Sequence, residues 1–152
     1  MRCRTAGIAL VGLLALGEAS AAVETAIGRI KSAAGEATVV SGEQRRAATV
    51  GQPVYMREIL ETGADGALGV VFADESRLTL GADTSLTIDE YVFVPEHGDG
   101  SFITRMTRGS LLYVSGLIAK LKPESSVVET PEATIGIRGT RFLVSLEPVL
   151  IE

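Results

Sequence analysis

From Ile27 onward, apolar residues alternate with polar ones or gather in short runs, and Gly, Asp, Ser and Pro interrupt them roughly every 8 to 12 residues. A period of two buries one face of an extended strand, so this rhythm predicts an all-β chain. The predicted strands are Ala26–Ser32, Glu36–Ser41, Gln52–Met56, Ile59–Thr62, Leu68–Phe72, Arg77–Leu80, Ser85–Ile88, Tyr91–Val94, Phe102–Thr107, Leu111–Val114, Val127–Thr130, Ala133–Arg138 and Phe142–Leu146. Val70 with Phe72, Leu78 with Leu80 and Leu86 with Ile88 are the pairs expected to point into the core. Leu111, Val114, Ile118 and Leu121 also fit helical spacing, but Gly116 interrupts them. A strand to about Ser115 is expected there, followed by a short irregular or helical surface connection through Lys122-Pro123.

The centre of the chain carries an internal repeat. Ala64-Asp65, Ala73-Asp74 and Ala82-Asp83 recur every nine residues, each followed by a short apolar strand, which suggests stacked strand-turn units. Aspartate at a turn accepts hydrogen bonds from backbone amides ahead of it, and this explains its recurrence without a ligand. A calcium-binding nonapeptide roll would need the G-G-x-G-x-D pattern, and those glycine pairs are missing.

The ends change the picture. Arg2 and Arg4, an apolar run from Ala6 to Leu16 and the small residues Ala19-Ser20-Ala21 have the order of a secretory signal peptide, residues 1–21. The run is about half of the roughly 20 residues that span a bilayer, so cleavage is expected in preference to an uncleaved anchor, with no stable membrane insertion afterwards. Cys3, the one cysteine, goes with the leader, leaving neither disulfide nor thiolate in the remaining domain, residues 22–152. The full chain carries a net charge of −5, and losing Arg2, Arg4 and Glu18 makes it −6. That balance argues against nucleic acid or an anionic membrane surface as the principal partner. Arg45-Arg46 is the basic doublet of the mature chain and is expected at a solvated loop tip.

Catalytic chemistry is poorly supplied. His97, the single histidine, sits in Pro95-Glu96-His97-Gly98-Asp99-Gly100, a run of turn formers, and with Glu96 and Asp99 falls short of the ligand set of a closed metal site. No G-x-S-x-G elbow or phosphate-cradling glycine loop occurs. Glu58/Glu61, Asp74/Glu75 and Asp89/Glu90 resemble the paired carboxylates of glycosidases, but with no Trp and few other aromatics a sugar platform is lacking. Solvated sheet rims explain them better. No catalytic residue, cofactor or metal is assigned.

The most informative segment runs from Thr130 to Val144, T-P-E-A-T-I-G-I-R-G-T-R-F-L-V. Pro131 opens a strand where no amide donor is needed, Ile135 and Ile137 project to one face, and Gly136 and Gly139 permit close backbone approach or a positive φ. Arg138, between small and apolar neighbours, is expected to be partly buried as a pin joining two strands, ahead of an anion-binding role.

Together with G51-Q-P-V, I59-L-E-T-G63, V71-F-A-D-E-S-R-L-T-L80, S85-L-T-I-D89 and R108-G-S-L-L-Y-V-S-G116, this closing motif resembles the FecR domain in order and content, across nearly the whole mature chain. The resemblance is to small exported FecR-domain proteins with an E-Y-V-F-like strand, here Glu90–Phe93. It implies one compact periplasmic β domain, solenoid-like or sandwich-like, whose structural motif is Thr130, Pro131, Gly136, Arg138, Gly139 and Thr140. Better-understood relatives relay a signal from an outer-membrane transporter to a sigma factor. This chain departs from them in showing no anti-sigma segment, so direct sigma-factor control is not carried over. It has Glu75 where the F-x-D-G-S turn of the family has glycine, so a different turn type is expected. Arg141 follows G-T where relatives often have an acidic or neutral residue. The chain stops where relatives usually add another hairpin, so a sheet edge is expected to be uncovered.

The expected function is therefore a non-catalytic periplasmic protein-interaction or sensing module, with another envelope protein as partner. The alternative is a structural protein that binds cell-wall or surface polymer. The contact regions expected are the loop at Glu96, His97 and Asp99 and the terminal strand at Phe142 and Val144.

Overall fold

The computed structural model describes residues 23–146. The expected leader and the end of the chain beyond Leu146 lie outside the described residues. The elements are β1 (Gly28–Ala34), β2 (Ala37–Ser41), β3 (Gln44–Ala47), β4 (Pro53–Val54), β5 (Ile59–Thr62), β6 (Ala67–Phe72), β7 (Arg77–Leu80), β8 (Ser85–Val94), β9 (Asp99–Val114), α1 (Leu117–Leu121), β10 (Ser126–Glu129), β11 (Thr134–Gly136) and β12 (Arg141–Leu146). One continuous sheet follows the order β3-β2-β5-β8-β9-β7-β6-β1-β4, with β10, β11 and β12 branching from it.

The sheet doubles over at β9, the longest strand. Its first stretch, Asp99–Arg108, pairs antiparallel with β8, and within it Phe102–Arg105 also pairs parallel with β10. Its second stretch, Gly109–Val114, pairs with β12, and Leu111–Val114 pairs with β7 on the other side. Gly109 marks the crossover with a φ of +91°. A Cβ there would lie 2.3 Å from Thr84 Oγ1 and 2.5 Å from the Thr84 Cα, so only glycine fits. The crossing gives a front half, made of β4, β1, β6, β7, the end of β9 and β12. The back half comprises β3, β2, β5, β8, the start of β9, β10 and β11.

Both halves turn their apolar residues into one core. Ile30, Leu68, Val70, Phe72, Leu78, Leu80, Leu111 and Tyr113 come from the front. Val39, Leu60, Leu86, Ile88, Phe102, Met106 and Val128 come from the back. Phe72 bridges the halves, with its ring 4.7 Å from Phe102 and 5.6 Å from Tyr91. Each fully buried aliphatic side chain contributes about 1.5–3 kcal/mol, which sustains a fold whose described residues contain no cysteine.

The expected all-β class is observed, and the curled, doubled sheet corresponds to the sandwich-like alternative. Val70, Phe72, Leu78, Leu80, Leu86 and Ile88 are all buried, as their alternation requires. The three Ala-Asp pairs all occupy turns, but the units after them do not stack. β6 pairs with β7 in the front half, whereas β8 leaves to join β5 and β9 at the back.

Two pairs of predicted strands have merged. In β8 the register shifts between Ile88 and Glu90, and this bulge lets Leu86, Ile88 and Tyr91 all face inward despite the odd step from 88 to 91. Arg45 and Arg46 lie in β3, not at a loop tip, and pair with Glu61 and Glu58. The connection after Ser115 is α1, but it is not purely superficial, because Ile118 is fully buried.

Candidate functional site

The β6–β7 turn builds a buried polar knot. Asp74, with no exposed surface, accepts hydrogen bonds at Oδ1 from Ser76 N (3.2 Å), Ser76 Oγ (2.5 Å) and Tyr91 Oη (3.1 Å). Its Oδ2 accepts from Ile118 N (3.3 Å), and its carbonyl accepts from Leu117 N (2.7 Å). One side chain thus ties the front turn to β8 in the back and to the start of α1. Gly116 makes the approach possible, since a Cβ there would meet the Asp74 carbonyl at 2.2 Å and Ser76 N at 2.3 Å.

Glu75, between these anchors, has a φ of +69°. The left-handed conformation that the family assigns to glycine is therefore kept, against the expectation of a different turn. Asp74 and Ser76 hold the backbone on both sides, at a local cost of about 1 kcal/mol.

Two buried hydroxyls nearby lack a partner. Tyr113 Oη and Ser126 Oγ make no hydrogen bond of acceptable geometry. Burial pushes the Tyr113 hydroxyl up to about 12, although Ser126 lies near enough to oppose the rise. Tyr91 is raised as well, first by burial and then by the charge of Asp74.

The closing motif is divided in role. Thr130 closes the β10–β11 hairpin: its Oγ1 donates to the Ala133 carbonyl at 2.9 Å and accepts from Ala133 N at 3.0 Å, with Pro131 at the exposed tip. Gly139, with φ +132°, and Thr140 are held to the end of β9, where Ser115 Oγ donates to the Gly139 carbonyl at 2.6 Å and Ser115 N to the Thr140 carbonyl at 3.0 Å. Ile137 is buried and donates its amide to the Ser126 carbonyl at 2.9 Å. Arg138 does not behave as the expected buried pin. It is exposed, because alternation along this stretch turns Ile137 inward and its successor outward. Gly136 has open space where a Cβ would be, so neither close approach nor positive φ requires glycine there.

The two expected contact regions lie apart in character. Glu96 and His97 are exposed in a 3₁₀ turn, Pro95–His97, closed by Gly98 at φ +63°. Asp99 is ion-paired with Lys122, which holds its carboxyl below the usual carboxylate range. Gly100 packs beneath this loop against Ile118. On β12, Phe142 stacks on Tyr113 at 5.3 Å and Val144 is buried, so both side chains face inward. Arg141, Leu143 and Ser145 point outward, and Leu143 is 70% exposed. The far edge of β12 pairs with no other strand among the described residues.

Among the described residues, no group of three His, Cys, Asp or Glu side chains is arranged to hold a metal, and no helix is long and apolar enough to cross a membrane. The residues that reading the sequence passed over are those whose partners are distant: Tyr91, Gly116 and Ser115. The nine-residue Asp repeat was the available signal for the knot, but it did not distinguish buried Asp74 from exposed Asp65 and Asp83.

In comparison with known families, residues 58–149 match the model described as FecR protein. The match begins after β4, so G51-Q-P-V and the first strands lie outside it although Ile30, Val39 and Val54 belong to the shared core. No curated protein and no solved structure matches the chain.

Proposed function

Because the chain belongs to the FecR protein family, we propose that it serves as a non-catalytic sensing or interaction module of the periplasm, engaging another protein of the cell envelope. FecR proteins are a signalling family of the cell envelope, and the match over residues 58–149 is the observation that carries this reading. The leader-like residues 1–21 supply a route of export. Contact through strand addition suits the outer edge of β12, where backbone donors and acceptors and the exposed Leu143 would meet an incoming strand. The loop carrying Glu96 and His97 offers a second point of contact.

Fractionation of cells expressing the full chain, followed by crosslinking in the envelope, tests the reading. The expected result is a periplasmic protein shortened at its N-terminus and crosslinked reproducibly to one envelope protein. Retention in the cytosol, or crosslinking no different from an unrelated periplasmic protein, would contradict it. Co-sedimentation with purified peptidoglycan in place of protein crosslinks would favour the polymer-binding alternative.

A further inference from the structure

The strands of the front half contain no aspartate or glutamate. Their register aligns exposed cations instead. Arg29 of β1 lies opposite Val71 of β6, Val71 opposite Arg77 of β7, Arg77 opposite Val114 of β9, and Val114 opposite Arg141 of β12. One row thus crosses five adjacent strands as Arg, Val, Arg, Val, Arg, with the arginines exposed and the valines half-buried. A parallel row places Thr79, Leu112 and Leu143 side by side, and Lys31 is exposed at the bulge of β1. Among the described residues, none of Arg29, Lys31, Arg77 and Arg141 has a carboxylate within 4.0 Å, the distance that defines the ion pairs elsewhere in the molecule.

We infer that this outer face is the recognition surface of the module and that it takes an acidic segment of a partner protein. The inference rests on the proposed interaction function and gives that partner its chemistry. Neighbouring strands lie about 4.8 Å apart, so successive arginines of the row stand about 10 Å apart and the row spans about 20 Å. A peptide in the polyproline II conformation advances about 3.1 Å per residue with about three residues per turn, so carboxylates at every third position share one face and recur about every 9 Å, in step with the arginines. The intervening valines and the Leu112–Leu143 pair offer apolar contact between the charges. Charge complementarity selects the occupant. The whole molecule carries −5, so a broad anionic surface such as a lipid headgroup layer is repelled by most of it. A single peptide chain interacts chiefly with charges within one Debye length, about 10 Å at 0.1 M salt, and there the basic row outweighs Glu75, the exposed acid two residues from Arg77.

The test titrates the full chain with a fluorescent peptide of about seven residues carrying Glu at every third position, beside its Gln counterpart. The expected result is binding of the Glu peptide alone, lost on raising salt to about 1 M, where screening shrinks to about 3 Å. The double variant Arg77→Glu/Arg141→Glu should weaken binding at least about tenfold, whereas Arg45→Glu on the back half should change it less than about twofold. Equal binding of both peptides, equal weakening by both variants, or binding to phosphatidylglycerol vesicles but not to the Glu peptide would overturn the inference. An envelope partner crosslinked as strongly to the double variant as to the parent would overturn this face and leave the interaction reading standing. Absence of any crosslinked partner would instead strike that reading, with the peptide titration still deciding the face.

Discussion

The two halves of the doubled sheet share one core and differ on the outside. The back half and its connections hold all five ion pairs of the described residues: Arg45 with Glu61, Arg46 with Glu58, Arg105 with both Asp89 and Glu129, and Lys122 with Asp99. The front half has cations and no compensating acid on its strands. Arg46 neutralises the buried carboxylate of Glu58, whereas the other, more exposed pairs are worth only about 0–1 kcal/mol each and are no stability requirement of the fold; the front does without them. The difference teaches that the back is neutralised internally, while the front leaves its charge available to something else.

This comparison predicts that substitutions at the seam between the halves damage the fold most and those on the outer faces least. The severest is Gly109→Val at the crossover of β9, where a side chain would strike Thr84 at a positive φ. A loss of about 4 kcal/mol or complete failure to fold is expected, measured by urea denaturation. Asp74→Ala follows, because it strands the Ser76 and Ile118 amides and the Tyr91 hydroxyl inside the protein. About 3 kcal/mol should be lost, with α1 and β8 loosening together in hydrogen exchange.

Alkaline pH probes the same seam. The Tyr113 hydroxyl is raised from its ordinary value near 10 to about 12, so the folded state favours the neutral phenol. Its stabilising contribution is complete below about pH 10 and is lost as pH rises through 12, on the order of 2 kcal/mol. Tyr91 shifts in the same direction. Thermal melts between pH 9 and about 12 should show this decline, shallower in Tyr113→Phe, which also removes an unpartnered hydroxyl and should be near neutral at pH 7. A smaller gain is expected from Glu75→Gly, about 0.5–1 kcal/mol of added stability, because glycine relieves the positive φ. Smallest of all, Arg77→Glu/Arg141→Glu should leave the melting curve within about 0.5 kcal/mol of the parent, since both side chains are exposed and unpaired among the described residues.

Much of the fold was legible because alternation is a local signal. Leu78 and Leu80, or Leu86 and Ile88, announce their strands and their buried face without reference to any partner. Strand β3 was missed because Gln44-Arg45-Arg46-Ala47 has no apolar alternation and is recruited by the β2 edge and by Glu58 and Glu61. The merging of two predicted strands into β8 depends on a bulge, which a period of two reads as an end. Arg138 was misplaced because its apolar neighbours suggested burial, whereas strand alternation placed it outside. The closing motif was visible as a motif, but its work is divided among Thr130, Ile137, Gly139 and Thr140. The basic row was invisible: Arg29, Arg77 and Arg141 are far apart in sequence and meet only through the register of five strands.

The most direct test of that row as a recognition surface is amide hydrogen exchange of the protein with and without the Glu peptide. Added protection confined to the strands of the front row, β1, β6, β7, the end of β9 and β12, is the predicted outcome. Protection centred on β8, β10 or the Pro95–His97 turn, or none at saturating peptide, would contradict the account.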